Sequence, residues 1–234
     1  MCLGDSITQG QISANWVDRL QAVQADVGVV NAGVSGDLAW SVLQRLDPVI
    51  AARPDVVILL IGTNDVGFGN GPQEEAMYRR RQKLPPSARP GLGWFAECLT
   101  LILDRLRAET SARIAVLEIP INGEDLGSAQ NERVRAYNAA LHRIAGEHGI
   151  PVLPLYERLV ALLPAGHRAP PYNPRIGLMI SAALRHAVLR RSWDEIAAAN
   201  GFAVLIDGIH LGDRAADAVA ELVAGFLGAD AGAG

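Results

Sequence analysis

The segment Asp55–Ile61 restricts the fold of this 234-residue chain more than any other stretch. Its sequence, Asp-Val-Val-Ile-Leu-Leu-Ile, is apolar on both faces of an extended strand, as is typical of parallel sheets that helices cover on both sides. Further strands are predicted at Met1–Leu3, Val27–Asn31, Ala112–Ile119 and Pro151–Leu155. Because helical patterns separate these strands, the sequence predicts an α/β fold around a five-stranded parallel sheet.

Amphipathic periodicity predicts helices at residues 12–24, 38–52, 94–108, 129–148 and 213–227. Ser13 is expected to cap the first of them. Residues 66–93 are rich in Gly and Pro and predict a long excursion with about one helical turn. Residues 157–200 predict a helical insertion in two or three pieces, and residues 228–234 predict a frayed tail. No linker divides the sequence, so residues 1–234 are expected to form a single domain.

Charge and composition bear on partners and compartment. A net charge of −4 argues against nucleic acid or an anionic membrane as a partner. No apolar run approaches the roughly 20 residues that a membrane span needs, so no stable membrane insertion is expected. The two cysteines, Cys2 and Cys98, do not suggest a disulfide framework, which favours a reducing, cytoplasmic compartment. The first strand is unusually short, which leaves open a missing leader and hence secretion.

Four polar clusters follow predicted extended segments, at Gly4–Thr8, Ala32–Asp37, Gly62–Asp65 and Asp207–His210. In parallel α/β sheets, sites lie beyond the carboxyl ends of the strands. We therefore expect these four loops, although distant in sequence, to meet at one edge of the sheet.

The residue types in these loops are those that acyl transfer requires. Ser6 is the candidate nucleophile and His210 the candidate base, since imidazole titrates near neutral pH. Asp207 lies three residues before His210, and Gly208 allows a turn tight enough for the carboxylate to reach the ring. The alternative is that Ser6 and Asp207 merely cap local structure and that His210 is an ordinary satisfied histidine.

Donors for an oxyanion are predicted at the Ser6 N–H, the Gly36 N–H and the Asn64 side-chain amide. Alternatively, Gly36 only permits a turn and Asn64 only tolerates a left-handed loop conformation. Three acidic residues that follow strands, Asp5, Asp37 and Asp65, are expected to cap or brace loops. The run Arg79–Arg81 is expected to be a solvated face, with recognition of an anionic substrate group as the alternative.

Four blocks, in this order, resemble the signature blocks of the SGNH (GDSL) hydrolase family: Gly4–Thr8, Asn31–Asp37, Gly62–Asp65 and Asp207–Leu211. The resemblance implies a flavodoxin-like three-layer α/β/α fold with strand order 2-1-3-4-5. It also implies esterase, lipase, thioesterase or carbohydrate-deacetylase activity without a metal or cofactor. The family's four name-giving residues fall on Ser6, Gly36, Asn64 and His210, and its triad carboxylate falls on Asp207.

The function predicted from the sequence is a serine esterase that cleaves a small-molecule carboxylic ester through an acyl-enzyme. A carbohydrate O-deacetylase or a thioesterase on the same site, and a non-catalytic binding module, are the alternatives. An α/β-hydrolase would require a G-x-S-x-G motif, which the sequence lacks. The five histidines show no metal-binding spacing. Apolar residues within 170–193 are interpreted as an acyl pocket, as core or as an oligomer contact, so a homo-oligomer stays open.

Overall fold

A computed structural model describes residues 1–68, 71–81, 84, 87–172 and 176–228 of the chain. Five parallel strands form one sheet, with the order β2-β1-β3-β4-β5. This order confirms the predicted α/β class and topology. The strands are β1 (Cys2–Gly4), β2 (Asn31–Gly33), β3 (Val56–Leu60), β4 (Arg113–Leu117) and β5 (Val152–Leu153).

Helices connect the strands and form the two outer layers. The described residues contain α1 (Ser6–Gln9), α2 (Trp16–Val23), α3 (Ala39–Gln44), α4 (Leu46–Ala51), α5 (Thr63–Gly67), α6 (Pro72–Arg81), α7 (Leu92–Glu109), α8 (Ala129–Glu147), α9 (Leu155–Leu162), α10 (Ile176–Leu189), α11 (Trp193–Ala199) and α12 (Asp213–Gly228).

Two hydrophobic cores lie on opposite faces of the sheet. Alternate residues of β3 point to opposite sides, so that Ile58 and Leu60 join one core while Val57 and Leu59 join the other. Helices α2, α9, α11 and α12 cover the first face, and α3, α4, α7 and α8 cover the second. Helices therefore shield both faces of the sheet from solvent, which explains why β3 is an uninterrupted apolar run.

The predicted position of the second strand was wrong by several residues. It was expected at Val27–Asn31, but β2 begins only at Asn31 and pairs with β1 through Gly33. Its position is set by close packing against α1: a Cβ on Gly33 would lie 2.3 Å from the backbone nitrogen of Gln9. Val27 and Val30, the apolar residues that suggested the earlier strand, are exposed.

Two helices differ clearly from the prediction, one because of a different capping residue and one because of a proline. The first long helix begins at Trp16, and its cap is Asn15 rather than Ser13, because the Asn15 side chain accepts from the Val17 and Asp18 N–H groups. Residues 38–52 form two helices, α3 and α4, rather than one. Pro48 has no N–H to donate to the carbonyl four residues earlier, and it is tolerated because it lies in the first turn of α4.

The excursion at 66–93 contains more helix than predicted, since α6 has ten residues. The predicted tail at 228–234 falls outside the described residues except for Gly228, which ends α12. Across the described ranges, no helix combines the length and the apolar character that crossing a membrane would require.

Candidate active site

Ser6 is the first residue of α1 and is separated from the end of β1 only by Asp5. The preceding Asp5 caps this helix, since its Oδ1 accepts a hydrogen bond from the Ile7 N–H at 2.9 Å. The Ser6 side chain therefore does not serve as the cap. It lies at the carboxyl end of β1, where it contacts a residue from the far end of the chain.

His210 meets Ser6 across 204 residues of sequence, and Asp207 contacts the other side of the His210 ring. Ser6 Oγ and His210 Nε2 are 3.1 Å apart, and His210 Nδ1 lies 2.8 Å from Asp207 Oδ2. The other carboxylate oxygen, Asp207 Oδ1, accepts from the Ile209 and His210 N–H groups at 3.0 and 2.8 Å. Asp207 thus caps a turn and also orients the ring, so the two interpretations of this residue coexist. Gly208 adopts a φ of 92°, which permits the turn.

The burial and charges of this pair set its protonation. Burial alone lowers the pKa of His210, but the negative charge of Asp207 and their hydrogen bond raise it, and the net pKa lies above the usual value. Burial, the largest single influence, raises the pKa of Asp207, but the charge of His210 and the hydrogen bonds from His210 and Ile209 together outweigh it, and the net pKa is lowered. With Asp207 ionised, a neutral His210 carries its proton on Nδ1, which leaves Nε2 free to accept from the Ser6 hydroxyl.

The segment that leads into Asp207 is held by Glu124, a buried carboxylate that the sequence analysis missed. Its two oxygens accept from the backbone N–H groups of Ala203, Val204 and Leu205 at 2.7, 2.7 and 2.8 Å. His167 Nε2 lies 2.6 Å from the same carboxylate. Glu124 lies in the segment between β4 and α8, and nothing in its local sequence marks the distant backbone that it contacts.

Asn64 follows β3, in the first turn of α5, and its side-chain amide bonds to the loops after β1 and β2 and to α6. Its Nδ2 donates to the Asp37 carbonyl at 2.9 Å and to Asp5 Oδ2 at 3.3 Å. Its Oδ1 accepts from the Tyr78 hydroxyl at 2.8 Å. Because Asp5 precedes Ser6 and Asp37 follows Gly36, the amide lies between the two loops that carry the other predicted oxyanion donors.

Gly36 lies in the loop after β2 with a φ of 82°, a conformation that residues with a Cβ rarely adopt. The Arg81 guanidinium lies beside it, since a Cβ on Gly36 would come within 3.0 Å of Arg81 Cζ. Arg81 also donates to the Ser35 carbonyl at 3.2 Å. Within the run Arg79–Arg81, Arg81 is therefore packed against a predicted site loop rather than being only a solvated charge.

The three acidic residues brace the loops, as predicted. Asp37 pairs with Arg45 at 2.6 Å, and Asp65 accepts from the Ala39 N–H at 3.1 Å. Burial raises the pKa of Asp5 and of Asp65 to about 7 each. Within the described ranges, no group of three or more His, Cys, Asp or Glu side chains could hold a metal ion.

Comparisons with known proteins agree with this architecture. Residues 2–217 match the model of the GDSL-like lipase/acylhydrolase family. Among curated proteins, none matches this sequence significantly. Similar solved structures include an acetyl xylan esterase, AlAXEase (16% identity, TM-score 0.65, 97% of this chain and 98% of that chain covered).

Two further solved structures have the same fold at similarly low identity. The acetylxylan esterase Axe2 from Geobacillus stearothermophilus is 19% identical, with a TM-score of 0.62 over 95% of this chain and 90% of that chain. A lipase/acylhydrolase from Enterococcus faecalis is 20% identical, with a TM-score of 0.61 over 95% and 91%.

Proposed function

The chain belongs to the GDSL-like lipase/acylhydrolase family and is a serine hydrolase of carboxylic esters; on that premise we propose that Ser6, His210 and Asp207 form its catalytic triad. The observation that carries this proposal is the continuous path of hydrogen bonds from Ser6 Oγ through His210 to Asp207, with spacings of 3.1 and 2.8 Å. Each group has the role that its chemistry allows in acyl transfer.

The reaction begins when Ser6 Oγ attacks the ester carbonyl carbon and His210 Nε2 takes the hydroxyl proton. The carbonyl electron pair moves to its oxygen, and the Ser6 N–H, the Gly36 N–H and the Asn64 amide donate to the resulting oxyanion. The oxyanion then collapses, the ester C–O bond breaks, and the alcohol leaves with the proton from His210. Water repeats these steps on the acyl-enzyme and releases the carboxylic acid.

Ser6→Ala provides the direct test. Without the nucleophile, we expect kcat to fall by about 10⁴–10⁶-fold, the range of other triad nucleophiles. A serine-directed phosphonate should label one residue in the native protein, and peptide mapping should find it at Ser6. A Ser6→Ala protein that hydrolyses p-nitrophenyl acetate at a near-normal rate would remove Ser6 from the proposed role.

Acetylated carbohydrate is the second candidate substrate, because two of the similar structures are described as acetyl xylan esterases. Measuring kcat/KM on p-nitrophenyl esters, acetylated xylo-oligosaccharides and acyl-CoAs, with Ser6→Ala as the control, distinguishes the proposal from its alternatives. Preference for the oligosaccharide by kcat/KM supports a deacetylase, and preference for acyl-CoA supports a thioesterase.

The apolar residues of α10 bear on acyl length and on assembly. Ile180 and Leu184 are 62% and 61% exposed, so the interpretation of these two as core residues was wrong. An acyl pocket and an oligomer contact stay as proposals. The Ile180→Ser/Leu184→Ser variant should lose octanoyl ester activity selectively in the first case and change its mass by light scattering in the second.

Both cysteines are buried and unpaired, which supports the proposal of a reducing, cytoplasmic compartment; secretion is the alternative. Fractionation of the expressing cell distinguishes the two.

A further inference from the structure

Tyr78, on α6, reaches the side chain that the proposed function places in the oxyanion hole. Its hydroxyl donates to Asn64 Oδ1 at 2.8 Å. A carboxamide is planar, so a bond to its oxygen restricts where its nitrogen points. Tyr78 therefore acts on the donor end of Asn64 although its own hydroxyl lies at the other end of the amide.

The hydrogen bonds of the Asn64 amide differ in length, and the longest of them is the one that a bond to the oxyanion can most easily replace. The bonds to the Tyr78 hydroxyl and to the Asp37 carbonyl are short, at 2.8 and 2.9 Å, and hold opposite ends of the amide. The contact from Nδ2 to Asp5 Oδ2 is longer, at 3.3 Å, and hydrogen bonds weaken with length. The N–H that faces Asp5 is thus the one available to a developing oxyanion while the two short bonds hold the plane of the amide.

We propose that Tyr78 is a positioning residue for the hydrolytic reaction. It holds the plane of the Asn64 amide so that one N–H can donate to the oxyanion instead of to Asp5. This inference rests on the proposed role of Asn64. Accepting a hydrogen bond at Oδ1 also polarises the amide, which strengthens the donors on its nitrogen.

The helix that carries Tyr78 is anchored well enough for this role. Arg79 donates to the Ala88 carbonyl at 3.2 Å, and its guanidinium lies 5.8 Å from the centre of the Phe68 ring. The Tyr78 ring packs on the same Phe68, with ring centres 5.8 Å apart. One helix turn further on, Arg81 contacts the loop of Gly36. Because the ring of Tyr78 has its own packing partner, Tyr78→Phe removes the hydroxyl and keeps that partner.

The experiment is a double-mutant cycle on p-nitrophenyl acetate with Tyr78→Phe, Asn64→Ala and the double variant. Tyr156→Phe is the matched control, since its hydroxyl accepts from Arg135 and not from a site residue. The concentration of active enzyme in each sample is taken from the amount of Ser6 that the phosphonate labels, so that unfolded protein does not lower the calculated kcat. The melting temperature of each variant reports any general loss of stability.

Asn64→Ala should lower kcat by about 10²–10³-fold, as the loss of an oxyanion donor does. Tyr78→Phe should lower kcat by about three- to tenfold with KM unchanged, the range expected for one ordinary hydrogen bond. In the Asn64→Ala background, Tyr78→Phe should have no further effect on kcat, and Tyr156→Phe should match the wild type.

Two results would overturn the inference and leave the proposed function standing. One is a normal kcat for Tyr78→Phe while Asn64→Ala is impaired. The other is an equal loss of kcat from Tyr78→Phe with and without Asn64, which would mean that the hydroxyl only stabilises α6. A normal kcat for Asn64→Ala would instead refute the role of Asn64 in the oxyanion hole, and the inference about Tyr78 with it.

Discussion

Replacing Glu124 with glutamine tests how the triad loop is held. The carboxylate side chain is fully buried, and it accepts three backbone N–H groups as well as the contact with His167. Glutamine keeps the size of the side chain but removes the charge and turns one acceptor oxygen into a donor. If Oε1 keeps Val204 and Leu205, the new amide group faces the Ala203 N–H, and that donor loses its partner.

The expected cost follows from these contacts. Two charge-assisted hydrogen bonds become neutral, which weakens each by about 0.5–1.5 kcal/mol, and an unsatisfied buried donor costs about 1–3 kcal/mol. The free energy of unfolding should therefore fall by about 2–6 kcal/mol. Because the loosened backbone leads directly into Asp207 and His210, kcat should also fall, by more than KM changes.

Urea unfolding followed by circular dichroism measures the loss of stability, and p-nitrophenyl acetate hydrolysis measures kcat. The neighbouring Asp125→Asn is the control, because Asp125 is exposed and its side chain accepts from the local Gly127 N–H. A Glu124→Gln protein as stable as this control, with a difference below about 0.5 kcal/mol, would refute the argument that the carboxylate holds the loop.

Three further predictions concern the sheet, the buried acids and the base. Gly33→Ala should destabilise the protein by about 3 kcal/mol or more in urea unfolding, because its Cβ would lie 2.3 Å from the α1 backbone. The control Gly28→Ala, with nothing within 4 Å of its Cβ, should change the free energy of unfolding by less than about 0.5 kcal/mol. Equal losses from the two variants would contradict the packing argument. Burial raises the pKa of Asp65 to about 7, so the folded state keeps a proton that the unfolded state releases near pH 4, and stability should fall as the pH rises from about 4 through 7. Asp65→Asn should remove at least about 1 kcal/mol of that fall in unfolding free energies at pH 5 and 8, and an unchanged pH dependence would refute it. Asp207→Asn should lower kcat by about 10³–10⁴-fold in steady-state kinetics, since asparagine can donate to His210 Nδ1 and place the ring proton on Nε2, whereas a loss below tenfold would mean that the carboxylate does not set the tautomer.

The contacts of the candidate site could be predicted from sequence where they depend on local spacing or on the ends of parallel strands. Asp207 and His210 are three residues apart, so a turn suffices to bring the carboxylate to the ring. Ser6, Gly36 and Asn64 could be placed near one another because each follows a strand of the same parallel sheet. Glu124 and Tyr78 were missed, because nothing in their local sequence marks which distant backbone or side chain they contact.

The sequence by itself determined the α/β class and the edge of the sheet at which the candidate site lies, because apolar periodicity and the polar residues after each strand are local properties. Only the tertiary structure decided where β2 begins and that a ten-residue helix from the 66–93 excursion lies against Asn64. These depend on close contacts between segments far apart in the chain, such as Gly33 against the backbone of Gln9 and Tyr78 against Asn64. Such contacts are set by packing in three dimensions, and the periodicity of a single segment carries no information about them.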